Sequence, residues 1–347
     1  MIKKIKKSEL KNIFLSTYSK IKHAAFIIKK SKYKIALVLE DQKLIGTITN
    51  GDIRRNLLRG LDLDDTVRII TNKKPTVIIK KTNITEIEKL MKEKKILSIP
   101  HLNQFGNILG LYNKKIKKNL KNATDVIIMA GGKGKRLWPL TMNCPKPMLK
   151  VSGKPMLENL IVKTKSFGYR NFIISLNYLP EVIKGFFKNG KKWNINISYI
   201  KEKKPLGTAG VLSLLDNKIS ENFILMNCDV VTSLNLYDLE QYHIRNNALI
   251  TIGAHIKKSE IQYGILKTNG INLKSFLEKP VLNHNINAGI YVFNKMVLKI
   301  LKKNRHYDIP EVVKIAMKQK KKVIVYPIYE TWKDIGLFQE LKNIRNK

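Results

Sequence analysis

Between residues 125 and 149 the chain reads DVIIMAGGKGKRLWPLTMNCPKPML, and these residue types suit one chemistry, the holding of a polyphosphate. The apolar run Val126-Ile127-Ile128-Met129-Ala130 reads as a buried strand that ends in Gly131-Gly132-Lys133-Gly134. Glycine has no Cβ, so such a loop can turn sharply and bring its N–H groups close to an anion. Lys133, Lys135, Arg136 and Lys146 supply positive charge where those amides would meet a phosphate, and Pro139, Pro145 and Pro147 stiffen the segment that follows. Two commoner phosphate loops are excluded. A P-loop ending at Gly134-Lys135 would need glycine at Met129 and a hydroxyl at Arg136. A dinucleotide fingerprint would need a third glycine at Leu137. Taken alone, the glycines would equally suit a plain strand-to-helix turn.

The elements that must position this loop alternate in the order of an α/β sheet from residue 125 onward. Helices are expected at 155–167, where apolar residues share one face and Gly168 follows, and at 180–188. Strands are expected at 171–176, 195–200, 223–226, 273–277 and 287–293, with a strand-like run around Tyr263-Gly264. Lys201-Glu-Lys-Lys-Pro205-Leu-Gly-Thr-Ala-Gly210 reads as a loop entering a helix. The strand at 223–226 delivers Asn227-Cys228-Asp229 at its C-terminal end, the edge at which ligands of open α/β sheets collect. A carboxylate there suits Mg²⁺, which takes one or two carboxylates and completes its shell with phosphate oxygens and water. Capping of a helix near Leu234 is the structural alternative for Asp229. Asp334 could likewise cap a final helix, Lys279 could be one more solvated lysine, and Asp308 before Ile309-Pro310 reads as a helix cap.

The whole string GGKGKRLWPLT followed by PKPML closely resembles the signature of the sugar-1-phosphate nucleotidyltransferases. Lys135 departs from it, since that family often has a small hydroxyl residue there. The other motifs arrive in the family's order over residues 125–336. The resemblance implies a Rossmann-like domain with a mixed, mostly parallel sheet. It also implies roles. Gly131, Gly132, Gly134 and Lys135 would bind the triphosphate with Arg136, while Lys146 would neutralise charge around the reacting phosphates. Gly207 and Thr208 belong to the Leu-Gly-Thr-Ala-Gly segment that closes over base and sugar. Asp229 and Asp334 would hold Mg²⁺, Glu278 and Asn287 would bond sugar hydroxyls, Lys279 would bind the sugar phosphate, and Tyr263-Gly264 would admit the sugar.

Residues 1–120 read as a separate small α/β unit, with 121–347 as the catalytic domain. Strands at 34–39 and 44–49 precede a helix opening at Asp52, and a related pattern returns with a strand at 75–79, a helix at 84–94 and strands at 96–101 and 108–112. This weak repeat resembles a pair of CBS domains, modules that commonly bind adenine or guanine nucleotides. Thr49 and Asp52 of the first copy would hold a ribose and its phosphate, or would simply cap the helix; both readings stand. The second copy, Gly110-Leu-Tyr-Asn113, lacks both polar groups, so at most one regulatory purine nucleotide is expected. Residues 113–124 form a basic linker able to make a short helix.

Composition bounds the rest. With 66 Lys+Arg against 26 Asp+Glu the formal charge is +40, but the lysines are spread along the chain with no arm, tail or RNA-binding motif. A compositional bias explains them better than nucleic-acid binding, and steering of anionic substrates is a side effect. No apolar run approaches the ~20 residues of a membrane span, and the basic N-terminus lacks a secretory apolar core. Cys144, Cys228 and six scattered histidines build neither a disulfide framework nor a zinc cluster, which fits a reducing cytoplasm. A homo-oligomer is expected. The CBS-plus-transferase layout resembles bacterial guanylyltransferases acting on glucosamine 1-phosphate, with mannose and heptose 1-phosphate enzymes as near relatives. The implied activity is therefore GTP plus a sugar 1-phosphate giving a GDP-sugar for surface glycans. UTP, dTTP and CTP enzymes share the motifs, and a nucleotide-sensing regulator with an inactive transferase half is the contrasting class.

Overall fold

The computed structural model describes residues 2–80, 82–114 and 122–336. Its contacts divide the chain into two compact units, Met1–Lys117 and Lys118–Lys347.

In the first unit, β1 (Ile2–Lys6) and β2 (Phe14–Ser16) precede α1 (Ile21–Lys30), β3 (Ile35–Glu40), β4 (Lys43–Thr49) and α2 (Asn50–Leu58). Then follow α3 (Ile84–Glu93), β5 (Ser98–Leu102) and β6 (Ile108–Lys114). The order helix, strand, strand thus occurs twice. Each copy has its own three-stranded sheet, β2-β3-β4 and β1-β6-β5. α1 buries Ile21, Ala24, Ala25 and Ile28, the spacing of a single helical stripe. The expected strand at 75–79 is reduced to one bridge, Ile78 to His101. Ile78 spends its N–H on Pro100 and its carbonyl on Leu102, and Pro75 has no N–H with which to extend the ladder.

The second unit is built on one seven-stranded sheet. Its elements are β7 (Asn122–Met129), the short hairpin β8 (Lys150–Val151) and β9 (Lys154–Pro155), α4 (Met156–Ser166), β10 (Tyr169–Leu176), α5 (Pro180–Phe187) and β11 (Asn196–Lys201). Next come β12 (Asn222–Asn227), β13 (Val230–Thr232), α6 (Leu236–Arg245), β14 (Ile250–Glu260), β15 (Ile265–Asn269), β16 (Asn272–Leu277) and β17 (Val281–Asn294). α7 (Ile309–Lys318), β18 (Val323–Ile328) and β19 (Trp332–Asp334) are the last of its described elements. The strand order is β11-β10-β7-β12-β17-β14-β18, and β17 alone runs against its neighbours. The sheet is mixed and mostly parallel. Val126 and Ile128 of β7 face one apolar layer with Leu157, Ile161 and Leu239; Ile127 faces the other with Val211, Leu225 and Val312. Burial on both faces is what makes these strands continuous apolar runs.

Some expectations differ in detail, and one alternative falls away. The segment after Gly210 forms a 3-10 turn, Gly210–Leu214, rather than an α-helix, and the Ser213 hydroxyl bonds the Gly210 carbonyl within it. Tyr263-Gly264 lies in the bend before β15, not in a strand. α6 is capped by Asn235, whose side chain accepts from the Tyr237 amide, which leaves Asp229 free of the capping role. The expected linker at 113–124 is shorter than that: residues 113–114 belong to β6 and 122–124 to β7, while 115–121 and any helix after residue 336 lie outside the described residues.

Candidate functional site

The site forms where parallel strands end. β7 finishes at Met129 beside Asn227 of β12, so the glycine loop and Asp229 leave the same edge of the sheet. The loop is then folded back by Gly134, whose φ of +64° lies in the left-handed region that favours glycine. A Cβ at that position would lie 3.1 Å from Lys146 Cβ and 3.1 Å from Thr141 Cγ2, so the PKPML segment packs directly on the loop. The buried Thr141 hydroxyl donates to the Gly134 carbonyl at 2.9 Å and fixes that contact. Beneath it, Leu137, Leu149, Val151, Met156 and Ile335 form a small separate core.

That core also brings in the end of the chain. β13 pairs antiparallel with β19, setting Val230 opposite Asp334, and the Ile335 amide donates to the Asp229 carbonyl at 3.0 Å. Two aspartates 105 positions apart (334 − 229) are thus brought together, Asp334 on β19 and Asp229 in the turn that enters β13. A Cβ on Gly336 would stand 3.4 Å from Asp334 Oδ1 and 3.7 Å from the Arg136 guanidinium, which places that arginine beside the second carboxylate. Lys146 donates to Asp229 Oδ2 in a pair whose side chains are only 12% and 16% exposed. Asp229 Oδ1 is buried with no hydrogen-bond partner. The neighbouring Cys228 thiol is driven far up by burial and then by the Asp229 carboxylate, so it is no nucleophile.

The remaining predicted residues fall into three groups. Asn287 lies near the cluster: its amide donates to the Tyr291 hydroxyl at 2.7 Å and its oxygen accepts from the Gly289 amide at 3.1 Å. Gly289 abuts Asn227, and Trp332 reaches the same corner by donating to the Ala288 carbonyl at 2.9 Å. Tyr263, Gly264, Glu278 and Lys279 stand together on the exposed arm made by β14, β15, β16 and β17. Tyr263 is 79% exposed, and a Cβ on Gly264 would lie 3.1 Å from Glu278 Oε2. Gly207 and Thr208 occupy a turn tied to the glycine loop through Glu202. Leu206 N–H donates to Glu202 Oε2 at 3.2 Å, and Asn177 donates to the Glu202 carbonyl at 3.0 Å. Tyr178 N–H in turn donates to the Gly131 carbonyl at 3.3 Å.

In the first unit, Thr49 and Asp52 come together as a reciprocal cap on α2. Asp52 Oδ2 accepts from both the Thr49 amide, at 2.8 Å, and its hydroxyl, at 2.7 Å, while Oδ1 accepts from Arg55. Asn227, Glu202 and Trp332 carry no assignment from the motifs, although Asn227 and Glu202 lie in quoted ones and Trp332 stands two positions before Asp334. A separate groove lined by Asp125, Asn171, Asn196 and Leu214 opens toward the starting ends of β7, β10 and β11, away from the predicted residues. Among the described residues no group of three or more His, Cys, Asp or Glu could hold a metal by protein ligands alone. No helix of the described residues is long and apolar enough to cross a membrane.

Residues 125–347 match the family model for nucleotidyl transferases. The chain belongs to that family. Residues 8–59 match the CBS domain model. Curated relatives include a mannose-1-phosphate guanyltransferase of Yarrowia lipolytica, 34% identical over 183 residues that make up 50% of each chain. Mannose-1-phosphate guanylyltransferase 1 of Arabidopsis thaliana is 34% identical over 220 residues, 60% of each chain. The mannose-1-phosphate guanylyltransferase of Mycobacterium tuberculosis is 30% identical over 218 residues, 61% of each. The chain therefore spans between half and three fifths of the length of these relatives. Among solved structures, HddC from Yersinia pseudotuberculosis aligns with TM-score 0.52 at 25% identity, over 64% of this chain and 98% of that one. The same protein has been crystallised with GMP-PN.

Proposed function

We propose that this nucleotidyl transferase joins a nucleoside triphosphate, GTP by preference, to a sugar 1-phosphate and releases pyrophosphate. The observation that carries the reading is the convergence of the Gly131–Gly134 loop, Lys146, Asp229, Arg136 and Asp334 at one edge of the sheet. A phosphate oxygen of the sugar ester attacks the α-phosphorus, a new P–O bond forms, and the bond from the α-phosphorus to the bridging oxygen breaks as pyrophosphate leaves. The attacking oxygen is already ionised at neutral pH, so no general base is needed. The protein must bring together two anions that repel one another and stabilise the charge that develops.

The loop amides and Arg136 bind the β- and γ-phosphates, Lys146 neutralises charge at the reacting phosphates, and Lys279 aims the nucleophile. Glu278 and Asn287 bond the sugar hydroxyls beside Tyr263 and Gly264. The carboxylates of Asp229 and Asp334 fit a divalent ion that finishes its shell with phosphate oxygens, because Asp229 Oδ1 is buried without a hydrogen-bond partner. When bound there, Mg²⁺ would offset negative charge on the phosphates. The preference for GTP rests on the guanylyltransferase names of the curated relatives. The test is to incubate the protein with Mg²⁺, each of five nucleoside triphosphates and a panel including mannose, glucosamine and heptose 1-phosphates, and to measure pyrophosphate. Release with GTP and one sugar ester is expected; silence across the panel rejects the reading. Addition of AMP, ATP or GDP to the active pair tests the first unit as a regulatory purine site at Thr49 and Asp52.

A further inference from the structure

Residues 206–209 and 306–309 are clasped together by five hydrogen bonds. Asp308 Oδ1 accepts from the Thr208 amide at 2.8 Å and from its hydroxyl at 3.0 Å. The Thr208 hydroxyl then accepts from the Ile309 amide at 3.0 Å. Tyr307 N–H donates to the Leu206 carbonyl and Ala209 N–H to the Tyr307 carbonyl, both at 2.8 Å. Asp308 stands at the start of α7, yet its carboxylate makes no capping bond to that helix. Its Oδ1 accepts both of its hydrogen bonds from across the fold instead. The Thr208 hydroxyl has used its one proton and one lone pair inside the clasp. Gly207 is forced: its φ is +85°, and a Cβ would lie 2.5 Å from the Tyr307 carbonyl oxygen and 2.9 Å from Asp308 Oδ1. The amide hydrogen bond from Thr208 holds the Asp308 carboxyl below its ordinary range, partly opposed by burial.

We infer that Asp308 is a positioning residue for nucleotide binding: through Thr208 it sets the Gly207 turn that meets the nucleotide. This rests on the proposed transferase reading and on the resemblance of the Leu-Gly-Thr-Ala-Gly turn to the segment that closes over base and sugar. The turn is anchored at its other end by Glu202, which also ties it to the strand ends flanking Gly131. Removal of Asp308 leaves the Glu202 end and the backbone bonds of Leu206 and Ala209 in place, and releases the Thr208 amide and hydroxyl next to Gly207. The effect therefore falls mainly on the nucleotide, since the residues assigned to the sugar ester, Glu278, Lys279 and Asn287, lie in or next to β16 and β17 and not on this turn.

The experiment compares Asp308→Ala, Asp308→Asn and Gly207→Ala in the full chain by steady-state pyrophosphate release, with Tm measured alongside. Asp308→Ala should raise KM for the triphosphate about tenfold and leave KM for the sugar 1-phosphate within about twofold. Asp308→Asn keeps an acceptor at Oδ1 and should recover most of that loss. Gly207→Ala must displace the turn and should raise the same constant, which keeps the test open if Asp308→Ala fails to fold. An active wild type whose variants lose Tm with unchanged KM, or lose affinity for both substrates equally, overturns the inference alone. A wild type silent with every pair removes the transferase reading and this inference with it.

Discussion

Replacing Asp229 by alanine perturbs stability and turnover separately, and the geometry sets the size of each. Asp229 and Lys146 are 16% and 12% exposed, so their pair lies between two measured regimes. Exposed pairs contribute about 0–1 kcal/mol, whereas stripping one partner from a fully buried pair costs about 3–5 kcal/mol. Loss of Asp229 strands the Lys146 ammonium near the surface and should cost about 2 kcal/mol. Lys146→Met should cost more, about 3 kcal/mol, because it strands a carboxylate whose Oδ1 already lacks a hydrogen-bond partner. The double variant removes both charges, so its loss should fall short of the sum of the singles by about 1–2 kcal/mol. Urea unfolding of the four proteins, without nucleotide or metal, measures this coupling. Additivity within about 0.3 kcal/mol would refute the energetic role given to the pair. In the active combination, Asp229→Ala should lower pyrophosphate release by about 10²–10³-fold or more, as loss of a transition-state electrostatic group does. Wild-type release from a folded Asp229→Ala protein would refute the assignment of Asp229 to the reacting phosphates.

Gly134→Ala forces a side chain into a left-handed conformation 3.1 Å from Lys146 Cβ and Thr141 Cγ2. The conformation alone costs about 1–2 kcal/mol, so a lower urea midpoint and a raised KM for the triphosphate are expected together; unchanged values of both would show that the loop tolerates a Cβ. His243 is buried with Nδ1 bonded to the Thr251 hydroxyl at 2.8 Å, and burial lowers its pKa from 6.5 to about 4. As pH falls through 6.5 the unfolded chain gains a proton that the folded protein refuses until about pH 4, so stability drops across that window by up to about 3 kcal/mol. His243→Asn should flatten this slope in urea unfolding between pH 6.5 and 4, and an unaltered slope would assign the acid sensitivity to other groups. Thr49→Ala should cost the first unit about 1 kcal/mol through loss of the α2 cap, measured as a downward shift of its unfolding midpoint; no shift would leave the cap without energetic weight.

How much of this was legible in the sequence depends on the reach of each interaction. β7, β10, β11 and β12 are apolar because both sheet faces are covered, and an apolar run announces itself locally. The glycine loop follows from the end of such a run, and Asp229 from the end of another. Asp334 follows from resemblance alone, and its physical basis, the β13–β19 ladder, pairs segments about a hundred residues apart that carry no shared local pattern. Asp308 shows the same difficulty more sharply. Followed by Ile309-Pro310 it has the local form of a helix cap, and by sequence nothing distinguishes it from one. Only the approach of Thr208, exactly one hundred positions earlier, turns the carboxylate away from its own helix. Thr49 and Asp52 run the opposite way, since they are three positions apart and the cap they form is the one their spacing allows. The polar arm of β14 and β17 is the hardest case. Both its faces meet solvent, so the alternation that marks a strand on a core is missing, and the arm is specified by its 281–260 pairing rather than by any run of apolar residues.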